Sequence, residues 1–402
     1  MKRRRVKITG IGFVTPAGIG KEAFWKGIHE PVSRVVSIER FRKEAGPFIA
    51  AEVKGFKLED FHRGVTTKRM ARHTQFALAA AKLAVLDAGL DFGDLRGRMP
   101  AITVGATLMD FGVINSGVDM ILRRGPVTGI PGSVSSASVS SISGSIGREI
   151  GGVTQTMAMQ SDCCAGLDSI AHAAEMIATG RTDLALGGGT ESPLYFHPML
   201  ELKMAGLASG NESYPERQCR PFDLWRTTGA IGEGACILLL EPESSPRSGY
   251  AYIDGHATSN DPSGILCAGM PHAIRCALAN AGISSDQVEC INAWGPGHRE
   301  IDAAESAALT SVFGEGISTV PAVSIKGSIG SPLGAAGAIQ AGCSALMLDT
   351  GWIPPTVNWQ FQDPDCFLRL SNRSLFIPHR TALINAHGLC GANSCMVLSR
   401  CK

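Results

Sequence analysis

The sequence predicts a layered α/β protein made of two similar halves, with two apolar helices buried between sheets. Three observations carry that prediction. At 402 residues the chain exceeds the length at which a single hydrophobic core stops growing. Strand-like and helix-like segments alternate along both halves. Two helical segments, after Cys163 and after Ser331, consist mainly of Ala, Gly, Ile, Leu and Met with few charges, which suits the centre of a molecule.

The opening "VKITGIGFVTPAGIGKEAFWKGI" reads as a strand from Val6 to Gly10, a glycine-rich turn, and a helix from about Lys21. It is not a dinucleotide fingerprint, because Thr15 stands where the third glycine of G-x-G-x-x-G belongs. Helical spacing of Phe76, Ala80, Leu83 and Leu86 marks a helix between Lys68 and Gly89, and "AITVGAT" (Ala101 to Thr107) reads as a strand. From Thr154 to Thr190 come a strand "TQTMAMQSD", a turn at Cys163, a helix closed by Gly180, and a strand "TDLALGGGT". The order returns with "QVECINAW" as a strand, Ile301 to Phe313 as a helix, "AVSIKGS" as a strand, and the helix "LGAAGAIQAGCSALMLDT" closed by Gly351. The halves, 1–245 and 246–402, meet in "EPESSPRSG" (Glu241 to Gly249).

Composition excludes several classes. Hydrophobic residues make up 44% and charged residues 18%, which favours a packed globule over a disordered chain. A net charge of +1 gives no field for nucleic acid, and Lys2 to Arg5 reads as a solvated lead-in to the first strand. The twelve cysteines lack C-x-x-C spacing, so neither a zinc site nor a disulfide framework is expected. No apolar run approaches the ~20 residues of a membrane span and the amino terminus does not resemble a signal peptide, so a soluble, cytoplasmic protein is expected. No metal or nucleotide cofactor is indicated.

The candidate nucleophile is Cys163 in "SDCCAGLDSIAHA", where a strand gives way to a buried helix. The unpaired amides and positive end of that helix are expected to favour a thiolate and lower its pKa. Cys164 beside it leaves the choice between the two open.

From here the chain resembles the elongating β-ketoacyl-acyl carrier protein synthases, condensing enzymes of the thiolase fold, over nearly its whole length. The matching stretches are "ITGIGFVTPAG", Cys163 to Gly166 as C-x-x-G, "DLALGGGTES", "RPFDLWRTTGAIGEGA", "INAWG", "SIKGSIGSPLGAAG", "PPTVN" and "NAHGLCGAN". The resemblance implies an αβαβα architecture and selects Cys163 as the acyl-accepting residue. It also implies two histidines that bind the malonyl carbonyl and stabilise an enolate. Trp294 and Ser331 stand in their places.

An indole donates once and accepts nothing, and a seryl hydroxyl does not titrate near neutrality. Losing one donor to an oxyanion typically costs about 10² to 10³ in rate, so decarboxylative condensation is expected to be crippled. His298, in a Pro- and Gly-containing loop, is either a relocated catalytic group or a surface histidine. In the carboxyl-terminal motif the family's first Phe, implied to gate the cysteine, is replaced by His387, and Leu389 stands two residues on. His387 is expected either to pair with the Cys163 thiol as a base or to line a widened pocket, with the backbone amides of Cys163 and His387 forming the oxyanion hole. Lys326 and Glu305 match a supporting ionic network.

Thr227-Thr228-Gly229 replaces the family's D-G-F, which removes an aromatic near the acyl pocket and is expected to enlarge it, with Gly229 among the substrate-binding positions together with Trp294, Ser331 and Leu389. The loop Ser259 to Gly269 is shorter than the family's beside the pantetheine tunnel.

Three functions are weighed. The first is an acyltransferase that loads Cys163 from an acyl carrier protein or coenzyme A thioester, His387 serving as base. The second is a non-catalytic partner of a ketosynthase, similar to a chain-length factor. The third is a conventional condensing enzyme. The resemblance further implies a homodimer or a heterodimer with a ketosynthase homologue. An acidic carrier protein would find a docking patch in Lys68, Arg69 and Arg72, which otherwise form an ordinary solvated helix start.

Overall fold

The computed structural model describes residues 3–41, 46–62, 70–126, 132–262 and 264–401. Its main sheet has eleven strands. From one edge to the other, ten follow one another as Ala322–Val323, Cys290–Asn292, Thr381–His387, Ala392–Arg400, Ala251–Asn260, Val6–Thr15, Gly234–Pro242, Ala185–Glu191, Ala101–Gly105 and Gln155–Met159. The eleventh, Gly18–Ile19, pairs with Val6–Thr15. The two halves join where Val6 lies opposite Ile253 and Ile8 opposite Ala251. In each half an inner strand runs parallel to both neighbours: Ala101–Gly105 in the first and Cys290–Asn292 in the second.

Helices complete five layers. Arg72–Asp87 and Ser140–Ile150 cover the outside of the first half, and Met270–Ala281, with Arg299–Phe313 beside it, covers the second. Between the halves lie the two expected central helices, Ala165–Ala178 and Ala336–Thr350, which touch each other and strands of both halves. The second is buried from Ala336 through Leu348, as an all-round apolar helix must be. Small residues let them cross closely: a Cβ on Gly166 would stand 2.5 Å from the Gly334 carbonyl oxygen. That contact is the physical reason for glycine three residues after Cys163.

Three expectations change. The glycine-rich turn after Gly10 is continuous strand to Thr15. Gly10 and Gly12 are there because a Cβ at either would overlap the carbonyl oxygens of Ala84 and Ala80 in the overlying helix. "QVECINAW" and "AVSIKGS" contribute only Cys290–Asn292 and Ala322–Val323 to the sheet: the buried Glu305 carboxylate collects the amides of Trp294 and Gly295 and turns the first out of its ladder, and the second runs into a short helix, Lys326–Ile329. The helix placed between Lys68 and Gly89 runs over Arg72–Asp87. Lys68 and Arg69 lie outside the described residues, and Arg72 does not present a free cation. Its guanidinium holds Glu233 at 2.9 and 3.2 Å and covers the Phe76 ring. Among the described residues no helix is long and apolar enough to cross a membrane.

Candidate active site

The strand Gln155–Met159 delivers the chain to a short turn, Asp162–Cys164, that opens the first central helix. Asp162 has φ of +54°, a left-handed conformation that costs a non-glycine residue about 1 kcal/mol or more. Its carboxylate sustains that conformation by accepting the Cys390 amide at 2.9 Å and the Cys163 thiol at 3.6 Å. The turn separates the two cysteines. Cys164 donates to the Ala392 carbonyl at 3.5 Å, whereas Cys163 faces a cavity.

That cavity gathers residues from distant parts of the chain. Cys163, Trp294, Ser331, His387 and Leu389 all line it, as the sequence led one to expect. His298 and Thr228 line it as well, with an apolar remainder from Leu207, Ile231, Ile301 and Leu333 that carries no local sequence signal. Gly229 does not line it. With φ of +74° it lies against the Pro296 carbonyl, and its neighbour Thr228 reaches the cavity instead. Nor is the cavity wide: the volume open to water-sized spheres is about 30 Å³, room for a water or two. The aromatic lost at Thr227 to Gly229 is offset by the indole of Trp294.

The Cys163 thiol is not acidified. Burial, Asp162 and Glu191, in that order, push its pKa well above the ordinary thiol value, so desolvation outweighs the helix terminus. Glu191 accepts the amides of Thr107, Leu108 and Gly334 at 2.7 to 3.3 Å, yet burial raises it to about 8. At neutral pH the sulfur is therefore a thiol and needs a base to become a nucleophile.

His387 ends the strand Thr381–His387 and is 2% exposed. The loop Ser259 to Gly269 supplies its anchor. Asp261 accepts the amides of Cys267 and Gly269, each at 2.8 Å, and the Asn393 side-chain amide at 2.6 Å. Asn393 Nδ2 also donates to the Gly391 carbonyl at 3.2 Å, so its Oδ1 is the atom turned to His387 Nδ1 at 3.0 Å. An amide oxygen only accepts, so Nδ1 carries the proton and Nε2 keeps its lone pair. No hydrogen bond joins His387 to Cys163 in this state, among the described residues. The loop above the sulfur is tied by Gly388 N to Ala392 O at 2.8 Å, Gly391 N to Gly388 O at 3.0 Å, and Cys390 N to Asp162.

At Trp294 and Ser331, where the resemblance implies histidines, the structure packs rather than donates. Lys326 Nζ lies 3.7 Å from the centre of the Trp294 ring and donates to the Trp294 carbonyl and, at 3.3 Å, to Gln340 Oε1. Burial lowers this lysine to about 8 and raises Glu305, which also accepts from Asn385 at 3.1 Å. Among the described residues Lys326 and Glu305 form no ion pair with each other; each holds the tryptophan loop separately, the lysine through the Trp294 carbonyl and the carboxylate through the Trp294 and Gly295 amides. Ser331 is fixed by backbone bonds to Ala230 and Gly232 at 2.8 and 2.9 Å. His298 is no plain surface residue: Nδ1 accepts the Glu300 and Ile301 amides at 3.3 and 3.4 Å and caps the helix Arg299–Phe313.

Comparison with known proteins agrees with this architecture. Residues 3–245 match the model of the β-ketoacyl synthase amino-terminal domain and residues 250–360 that of its carboxyl-terminal domain. A putative polyketide β-ketoacyl synthase 1 of Streptomyces cyaneus is 32% identical over 91% of this chain and 90% of its own. The 3-oxoacyl-[acyl-carrier-protein] synthase 2 of Staphylococcus aureus (strain N315) is 29% identical over 99% of each. Among solved structures, the ishigamide ketosynthase/chain length factor superposes with a TM-score of 0.92 at 31% identity over all of both chains. A type II polyketide ketosynthase in complex with its acyl carrier protein gives 0.91 at 29%, again over all of both chains. The chain belongs to the β-ketoacyl synthase family and has the thiolase fold.

Proposed function

We propose that this protein is an acyltransferase that takes an acyl group from an acyl carrier protein or coenzyme A thioester onto Cys163 and passes it to an acceptor other than a malonyl carbanion. The observation that carries this reading is one cavity holding a buried neutral thiol and a histidine whose Nδ1–H is committed to Asn393. His387 Nε2 takes the thiol proton as sulfur attacks the thioester carbonyl. The amides of Cys163 and His387 receive the oxyanion. Collapse breaks the bond to the carrier sulfur, which leaves with the proton from His387. A second transfer from the acceptor repeats the sequence and returns the proton to Cys163. Trp294 and Ser331 supply no pair of titratable donors for an enolate, and none of these steps needs one.

The carrier protein is the natural donor in this reading, given the complex of a similar ketosynthase with its own. The edge strand Gln155–Met159, largely exposed with Val153 and Met157 beside and within it, offers the surface for a second copy or a homologous ketosynthase. Incubation with acyl-thioesters followed by intact and peptide mass measurement tests the proposal. An adduct on Cys163, absent in Cys163→Ala and discharged by an acceptor, is expected. No adduct at any chain length would overturn it.

A second reading, a chain-length-factor-like partner, is favoured by the narrow cavity, the raised thiol and the likeness to a ketosynthase/chain length factor. It predicts co-purification with an intact ketosynthase and activity of the pair that survives Cys163→Ala.

A further inference from the structure

The cavity contains two histidines whose ring protons are fixed in opposite senses. His387 donates from Nδ1 to Asn393, which leaves Nε2 as an acceptor. His298 accepts at Nδ1 from the amides of Glu300 and Ile301, which leaves Nε2 as a donor. Neither Nε2 is sealed in the interior without a partner, unlike those of His29, His73 and His379. Burial lowers the His298 pKa, in keeping with a neutral ring that caps a helix. Next to His298 through a backbone bridge, Thr228 holds a buried hydroxyl that also has no partner. One side of the cavity thus gathers polar groups, His298, Thr228 and His387, against an apolar remainder.

We infer that the acceptor in the second half-reaction is an oxygen nucleophile, an alcohol or water, held between His298 Nε2–H and His387 Nε2. This rests on the acyl-Cys163 reading above. The reason is lone-pair arithmetic. A hydroxyl oxygen has two lone pairs, so one attacks the acyl carbon while the other accepts the hydrogen bond of His298. Its proton goes to His387. The new C–O bond forms, the C–S bond to Cys163 breaks, and His387 returns the proton to sulfur. The product is an ester, or a carboxylic acid when the acceptor is water. An amine has one lone pair and cannot both attack and accept. A thiol is a poor acceptor for a histidine donor. A malonyl carbanion brings no proton for His387 to remove.

The test starts from protein already acylated on Cys163, so failure to load counts against the acyltransferase reading and not against this inference. Discharge is followed by mass in water and with small alcohols, amines and thiols at matched concentrations. Oxygen acceptors are expected to be preferred beyond their intrinsic reactivity. His298→Asn keeps a helix cap but its shorter side chain withdraws the donor from the position of Nε2–H, and it is expected to cost about 10² in transfer to oxygen while amine transfer falls much less. A purely structural histidine would slow all acceptors alike. Ring nitrogen NMR of ¹⁵N-histidine-labelled wild-type protein provides a readout that survives a poorly folding variant: His298 is expected protonated on Nε2 and His387 on Nδ1. Equal or better discharge by amines, an unchanged acceptor ratio in His298→Asn, or the reverse protonation pattern would overturn the inference.

Discussion

Replacing His387 by Gln removes the ring that the proposed mechanism uses as base, and the size of the effect follows from the state of Cys163. Burial and two carboxylates hold that thiol well above its ordinary value of 9.0. At pH 7 the spontaneous thiolate is therefore below about 1%, and loading depends on proton removal during attack. A positioned base contributes roughly 10² to 10⁴, so His387→Gln is expected to slow Cys163 acylation by at least about 10² at pH 7. The deficit has a direction in pH. As hydroxide takes over deprotonation, the variant's rate should rise about tenfold per pH unit toward pH 9 and so approach that of the wild type. The assay is the apparent second-order rate of acyl-thioester loading by intact mass between pH 6 and 9. Equal rates and equal pH dependence in the two proteins would refute the role of His387.

Three further outcomes are expected. Asn393→Leu should leave the fold intact by thermal melt yet free the His387 ring, giving a tenfold or larger loss of loading with altered ¹⁵N tautomer populations; unchanged tautomers would contradict the relay through Asp261. Glu191 is raised to about 8 from 4.5, so it is protonated in the folded protein where the unfolded chain has lost its proton; its stabilising share is full below about pH 4.5 and lost by about pH 8. Stability should fall across that window, and Glu191→Gln should flatten the fall in melts at stepped pH. Gly166→Ala, which drives a methyl against the Gly334 carbonyl where two central helices cross, should cost about 3 kcal/mol, read by urea unfolding.

The layered α/β order and both central helices were legible because their signals are local: apolar residues on every face, glycine at each helix end, alternation of strand and helix. The misread segments have non-local causes. Gly10 and Gly12 read as turn formers until the helix Arg72–Asp87 is laid across them. The strand near Trp294 is cut short by a carboxylate on a later helix, and the one near Lys326 by the short helix Lys326–Ile329.

The same division runs through the site. Cys163, Trp294, Ser331, His387 and Leu389 are contiguous with recognisable motifs, and they meet in one cavity. The anchor of His387 could not be read, since Asp261 lies 132 positions from Asn393 along the chain. Nor could the thiol's basicity, which is set by burial rather than by its place at a helix start. His298 did carry a legible signal: it precedes Glu300 in the first turn of a helix, where a cap belongs.

The central claim is acyl transfer through Cys163 uncoupled from loss of carbon dioxide, and the most direct measurement follows both events in one reaction. Acyl-Cys163 protein supplied with ¹³C-carboxyl malonyl-acyl carrier protein is monitored for released ¹³CO₂ and for elongated product. The account predicts a loaded cysteine that discharges to an added hydroxyl acceptor while carbon dioxide release stays at the background rate. Rapid release of labelled carbon dioxide with formation of a 3-oxoacyl product would contradict it.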